Sequence, residues 1–228
     1  MKTDEVENPM NYFRIAWQSA FAAGLCLGLP AGLLFWLILA NEANHSPFVE
    51  WVIGLIRANG LNNVFIEVAG SLFWSFLLGR ISGYRSWWRI QAASALGILL
   101  AWFSPFSNID GILYDYRPAT PIHVIYAVSM VGLIGSVTAF VGLGYGLILK
   151  SAKAALTMAL TTSIVSVLAL LLTIVLFDQF GIRVGTADFA MSKVTSVSLM
   201  MSAIVGGTVL GVGFSWFVFD DFQMKENH

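Results

Sequence analysis

Charge is what this sequence has least of: 11% of its 228 residues are Asp, Glu, Lys or Arg, where soluble domains carry about 25%. A chain so poor in charge cannot clothe itself in a polar surface. Cysteine is almost missing too. The single Cys26 excludes an intrachain disulfide and any Cys-cluster site for zinc or an iron–sulfur centre. Of the three histidines, His45 lies in a polar break, His123 at the head of an apolar run and His228 beyond the last run. None pairs with another inside a run, as ligation of a transmembrane haem would require.

Missing motifs exclude further chemistries. There is no H-E-x-x-H, no G-x-S-x-G elbow and no glycine-rich phosphate loop with its lysine. No lysine sits within a late apolar run to carry a Schiff base, and no run is arginine-rich like a voltage sensor. The formal net charge of −1 provides no basic field for nucleic acid. The expectation is a protein without enzymatic activity, cofactor or metal.

What is present is apolar: 57% of residues are hydrophobic and mean hydropathy is +0.78. The apolar residues fall in long runs without the strict alternation of a transmembrane barrel. Six runs can cross a hydrocarbon core of about 30 Å: Ile15–Ala40, Leu61–Gly79, Ile90–Phe106, Ile122–Leu149, Ala154–Leu176 and Thr195–Phe219. The fold class predicted is an all-α integral membrane protein, a six-transmembrane-helix bundle. Residues 1–14 form an N-terminal segment, 15–219 one transmembrane domain and 220–228 a tail. The first run, at ~25 residues, exceeds the roughly 7–15 of a secretory h-region, so a retained helix is expected.

Lys2, Arg14, Arg80, Arg85, Arg89, Lys150, Lys153 and Lys225 fall on one set of connections; Arg57, Arg117, Arg183 and Lys193 fall on the other. The excess places both termini in the cytoplasm. Tryptophans agree, since Trp17 and Trp36 bracket the first run about 28 Å apart along a helix. Between the first two runs, "SPFVEWVIGLIRANG" opens with Ser46 as N-cap and Pro47 at the first helical position. It is too short to span and predicts an interfacial helix. The Asn44–Ser46 sequon is followed directly by proline, which argues against its use. No motif recurs between the halves as an inverted repeat would require.

Small residues are the most regular feature. Ala16, Ala20, Gly24, Gly28 and Gly32 recur at steps of four, and Gly142–Gly146 and Gly207–Gly211 repeat the pattern. Such ridges let helix backbones approach closely in lipid. Pro30 falls between Gly28 and Gly32 without breaking their step, removes a donor to the Cys26 carbonyl and predicts a bent packing surface, with a broken-helix binding site as the alternative. Glu67 is the one ionisable residue well inside a run, and Ser71 and Ser75 extend it into a polar face that His123 or Arg57 could join. Gln91 and Ser94 on the third run are expected to act as hydrogen-bonding glue between helices. Asp110, Asp115, Asp178 and Asp188 belong to loops on the predicted outer side.

Two functions fit these features. One is a permease, or the membrane subunit of a small-solute transporter, with a path along Pro30, Glu67, Ser71, Ser75 and the glycine-rich faces. The other is a non-catalytic structural or assembly subunit of a larger membrane complex. In both, the partners are the lipid bilayer and either further copies of the chain or other membrane subunits, with no nucleic acid. The location expected is a bacterial or archaeal plasma membrane, the cell inner membrane.

Overall fold

The structure, a computed structural model, describes residues 12–30, 47, 61–105, 122–179 and 188–226. Every regular element among the described residues is helical: α1 (Tyr12–Ala23) running into a π-helical turn (Gly24–Gly28), α2 (Leu61–Ser82), α3 (Trp87–Trp102), α4 (Ile122–Ile148), α5 (Ala152–Gln179) and α6 (Asp188–Glu226). Within α4, α5 and α6, the segments Val128–Ile148, Ala152–Phe177 and Ser196–Asp220 are long and apolar enough to cross a membrane. The segment 46–60, predicted as an interfacial helix, lies outside the described residues except Pro47, which is helical. Gly32, Arg57, the sequon, and Asp110 and Asp115 also lie outside them.

Consecutive helices pack on one another in chain order, and α6 closes the ring onto α1 while touching α2 and α4 across it. Directions alternate all the way round. On α3 and α4, Ala93 meets Gly144 and Gly97 meets Val141; on α4 and α5, Gly146 meets Ala155 and Gly135 meets Ser163. On α6 and α1, Gly211 meets Ser19 and Gly207 meets Ala23. The start of α1 and the end of α6 therefore share one end of the bundle, where the Tyr12 and Trp216 rings lie 5.6 Å apart.

Burial is arranged inside out relative to a soluble bundle. On α5, Leu156, Leu160, Ile164, Leu168 and Leu172, at steps of four, are all more than half exposed, while Ala155, Met158, Ala159, Thr162 and Ser166 are buried. Large apolar residues outward and small ones inward is the pattern of helices that face lipid and associate by close backbone approach. The ring is filled, not hollow, toward the end holding Tyr12. There Phe214 of α6 and Tyr145 of α4 are both 0% exposed, their rings 5.4 Å apart at 69°, and Tyr84 meets Phe214 edge-on at 5.5 Å.

The tight connections follow from local chemistry. After α4, the Lys150 N–H donates to Leu147 O at 3.0 Å and the Ser151 N–H to Gly146 O at 3.2 Å, with Lys150 left-handed at φ 55°. This is a Schellman end. Ser151 then caps α5 by accepting from the Ala154 N–H at 3.1 Å. Gly83, at φ 72°, ends α2 in the same left-handed region.

Several boundaries differ from those predicted. α3 ends at Trp102 instead of reaching Phe106, because Pro105 drives the preceding residue from the helical region. α6 runs from Asp188 to Glu226, beyond the apolar Thr195–Phe219, since its flanking charges lower hydropathy without breaking a helix. Pro30 acts one turn upstream of itself: the Leu29 N–H reaches Gly24 O, the i→i−5 bond of the π turn. Widening the turn relieves the crowding of the proline ring against the i−4 carbonyl.

Candidate functional site

Glu67, Ser71 and Ser75 share one face of α2 because they recur at steps of four. α3 runs antiparallel along that face. The Glu67 Oε2 accepts the Trp102 indole N–H at 3.0 Å. One turn on, the Ser71 hydroxyl lies 2.7 Å from Val68 O and 3.2 Å from Gln91 Oε1, while the Gln91 amide N–H donates to the same Val68 carbonyl at 3.1 Å. Ser75 donates to Gln91 Oε1 at 3.0 Å and stands 3.4 Å from the Ser94 hydroxyl.

The network continues into α4. Ser94 donates to Ile90 O at 2.9 Å, which leaves its oxygen to accept from the Tyr145 hydroxyl at 2.7 Å. Tyr145 in turn accepts from the Trp74 indole at 3.0 Å. Ser71, Ser75, Ser94, Trp74 and Tyr145 are all buried. Three helices are thus joined through side chains whose donors and acceptors are matched to one another, which is what makes burying them tolerable in a dry interior.

The sequence-predicted residues divide. Glu67, Ser71 and Ser75 are on the same face, but their partners are Trp102, Gln91 and Ser94. His123 falls in the first turn of α4, and its side chain lies outside the described residues. Pro30 is exposed and apart from the network. The Cys26 carbonyl faces Gly70 of α2, where a Cβ would sit 3.2 Å from that oxygen, close enough for a weak Cα–H contact. Tyr145 and Trp74 escaped the sequence reading because both pass for apolar bulk. Only the rule that a buried Tyr or Trp needs a hydrogen-bond partner would have marked them.

The glycine ridges pack as close approaches, with one shift. Gly24 and Gly28 face Ile204 and Met200 of α6, but Gly207 and Gly211 meet Ala23 and Ser19, while Ala16 and Ala20 are only half-buried. A second polar row follows the α5–α6 seam. Thr162 and Ser166 are one turn apart on α5, Ser198 and Ser202 one turn apart on α6, and Ser202 donates to Ser166 O at 2.9 Å. Among the described residues, the side-chain oxygens of Thr162, Ser166 and Ser198, and of Ser19 on α1, are buried without a hydrogen-bond partner.

Thr162→Val, nearly equal in shape, removes such a hydroxyl and is expected to stabilise the bundle by about 1 kcal/mol in detergent unfolding. A loss of similar size would show that the hydroxyl is bonded. Among the described residues no group of His, Cys, Asp or Glu could hold a metal ion, and Glu67 pairs with no cation. No family model matches the chain, and comparison with curated proteins and with solved structures brings no match.

Proposed function

We propose that the chain is a six-span integral membrane protein with both termini cytoplasmic, acting as a non-catalytic assembly subunit of a larger membrane complex. The observation that carries this reading is the closure of the polar face of α2. A carrier needs that face turned toward water; here Gln91, Ser94 and Trp102 occupy it. Packing of Trp74, Tyr145 and Phe214 inside the ring adds support, as does the leucine-rich outer face of α5, which provides apolar area for a neighbouring subunit. The cytoplasmic assignment rests on Arg80, Arg85, Arg89, Lys150 and Lys153, which cluster around the turns at the Tyr12 end.

The permease reading has its own support in the unpartnered hydroxyls Thr162, Ser166 and Ser198, since native interiors seldom leave such groups unsatisfied. Purification in mild detergent followed by mass spectrometry separates the two. The assembly reading predicts different chains captured in fixed ratio, with capture and melting unchanged in Glu67→Gln, because glutamine keeps an oxygen acceptor for the Trp102 indole. A partner-free protein stabilised by a solute, with that stabilisation lost in Glu67→Gln, would establish a permease instead.

A further inference from the structure

Lys153 lies in the first turn of α5 and Asp220 closes the apolar part of α6, and both line one open groove of about 530 Å³ between these helices. Among the described residues the two make no ion pair with each other or with any other group. Trp216 stands beside them, and Thr157, Thr161 and Thr208 continue the lining toward the middle of the bundle. The hydroxyls of Thr161 and Thr208 turn back onto their own helices, donating to Thr157 O at 2.7 Å and Ile204 O at 2.6 Å. The deep part of the groove therefore offers methyl groups and little free hydrogen-bonding capacity.

Depth fits a single leaflet. From Lys153 to Thr161 is about 12 Å along α5 and from Asp220 to Thr208 about 18 Å along α6, bracketing half of a roughly 30 Å hydrocarbon core. The charges lie at the boundary, beside an interfacial tryptophan, and the apolar floor extends inward.

We propose that this groove binds one glycerophospholipid with a primary-amine headgroup, its phosphate at Lys153, its ammonium at Asp220 and one acyl chain along Thr157 and Thr161. A separated cation and anion complement a zwitterion better than an anion, because Asp220 repels a purely anionic head. The ammonium of an ethanolamine head donates N–H hydrogen bonds to the Asp220 carboxylate, which a trimethylated choline head cannot do. The inference rests on the membrane-spanning character of α5 and α6 and is independent of whether the bundle assembles or transports.

The test uses the full chain in nanodiscs of equal parts phosphatidylethanolamine, phosphatidylcholine and phosphatidylglycerol, followed by native mass spectrometry of retained lipid. Retention of the ethanolamine lipid is expected to exceed each of the others roughly fivefold, the scale of one or two partly exposed charge contacts. Asp220→Asn should reduce it to the choline level, and Lys153→Ala should lower retention of all three lipids. Thr161→Phe, which fills the deep part, should remove retained lipid of every headgroup. All three side chains are exposed, so unchanged melting temperatures certify the folds. Equal retention of the three lipids, preference for the glycerol head, or adducts unaffected by the variants would overturn the proposal. So would a protein chain cross-linking to Thr161→Cys.

Discussion

Gly146→Val is expected to cost about 3 kcal/mol, the upper part of the range for overpacking, and to drive α4 from α5. A Cβ at residue 146 would fall on the backbone of Ala155, and one at Gly142 would lie 2.8 Å from the backbone of Met158 and Ala159. A side chain in the way can rotate; a backbone cannot, so the helices themselves must separate. Gly213→Ala is the matched control. Its Cβ would sit 3.5 Å from the flexible Met158 side chain, and alanine's better helix propensity then decides the sign, giving no loss or a gain of up to ~1 kcal/mol. Denaturant or thermal unfolding in one detergent measures both. Equal losses in the two variants would remove close backbone contact as the basis of the α4–α5 pair.

The second large effect belongs to Tyr145→Phe. The ring is kept and one oxygen is lost, but that oxygen receives the Trp74 indole N–H and donates to Ser94. Ser94 retains Ile90 O, whereas Trp74, 2% exposed, is left with a buried donor. A buried unsatisfied group costs about 1–3 kcal/mol, and hydrogen bonds between membrane helices average ~0.6 kcal/mol. The stranded donor outweighs the lost bond, so a destabilisation of about 2 kcal/mol is expected. Trp74→Phe combined with Tyr145→Phe removes both partners and should recover part of the loss. A double variant whose cost is the plain sum of the single ones would mean that the two groups are not coupled.

The helices among the described residues were legible in the sequence because length and hydropathy need no knowledge of neighbours. Their ends were less so, since Pro105 and the charges around Asp188 and Asp220 act through backbone geometry and propensity that hydropathy does not register. The small-residue rows announced close approach, but the faces that meet are offset: Ser19 and Ala23, not Ala16 and Ala20, lie against Gly211 and Gly207. A step of four cannot distinguish adjacent rows one residue apart. At the polar face, sequence placed Glu67, Ser71 and Ser75 together but offered His123 or Arg57 as their partners, where the structure has Trp102, Gln91 and Ser94. Whether such a face is a path or a seam depends on the rotation of α3, which brings Gln91, Ser94 and Trp102 onto it. Pro30 shows the same limit: its effect is a π turn centred upstream, and the group facing the Cys26 carbonyl is a glycine on α2.

The central claim, that the α2 face is a closed helix seam, is most directly tested by thiol accessibility. With Cys26→Ala as background, Ser75→Cys and Arg85→Cys are each exposed to a small hydrophilic, membrane-impermeant thiol reagent from either side of sealed vesicles. Ser75 is 0% exposed within the seam, and Arg85 lies exposed in the α2–α3 turn. The account predicts rapid labelling of Arg85→Cys from one side only and none of Ser75→Cys from either. Labelling of Ser75→Cys at a rate near that of Arg85→Cys would contradict it and place water on the face of α2.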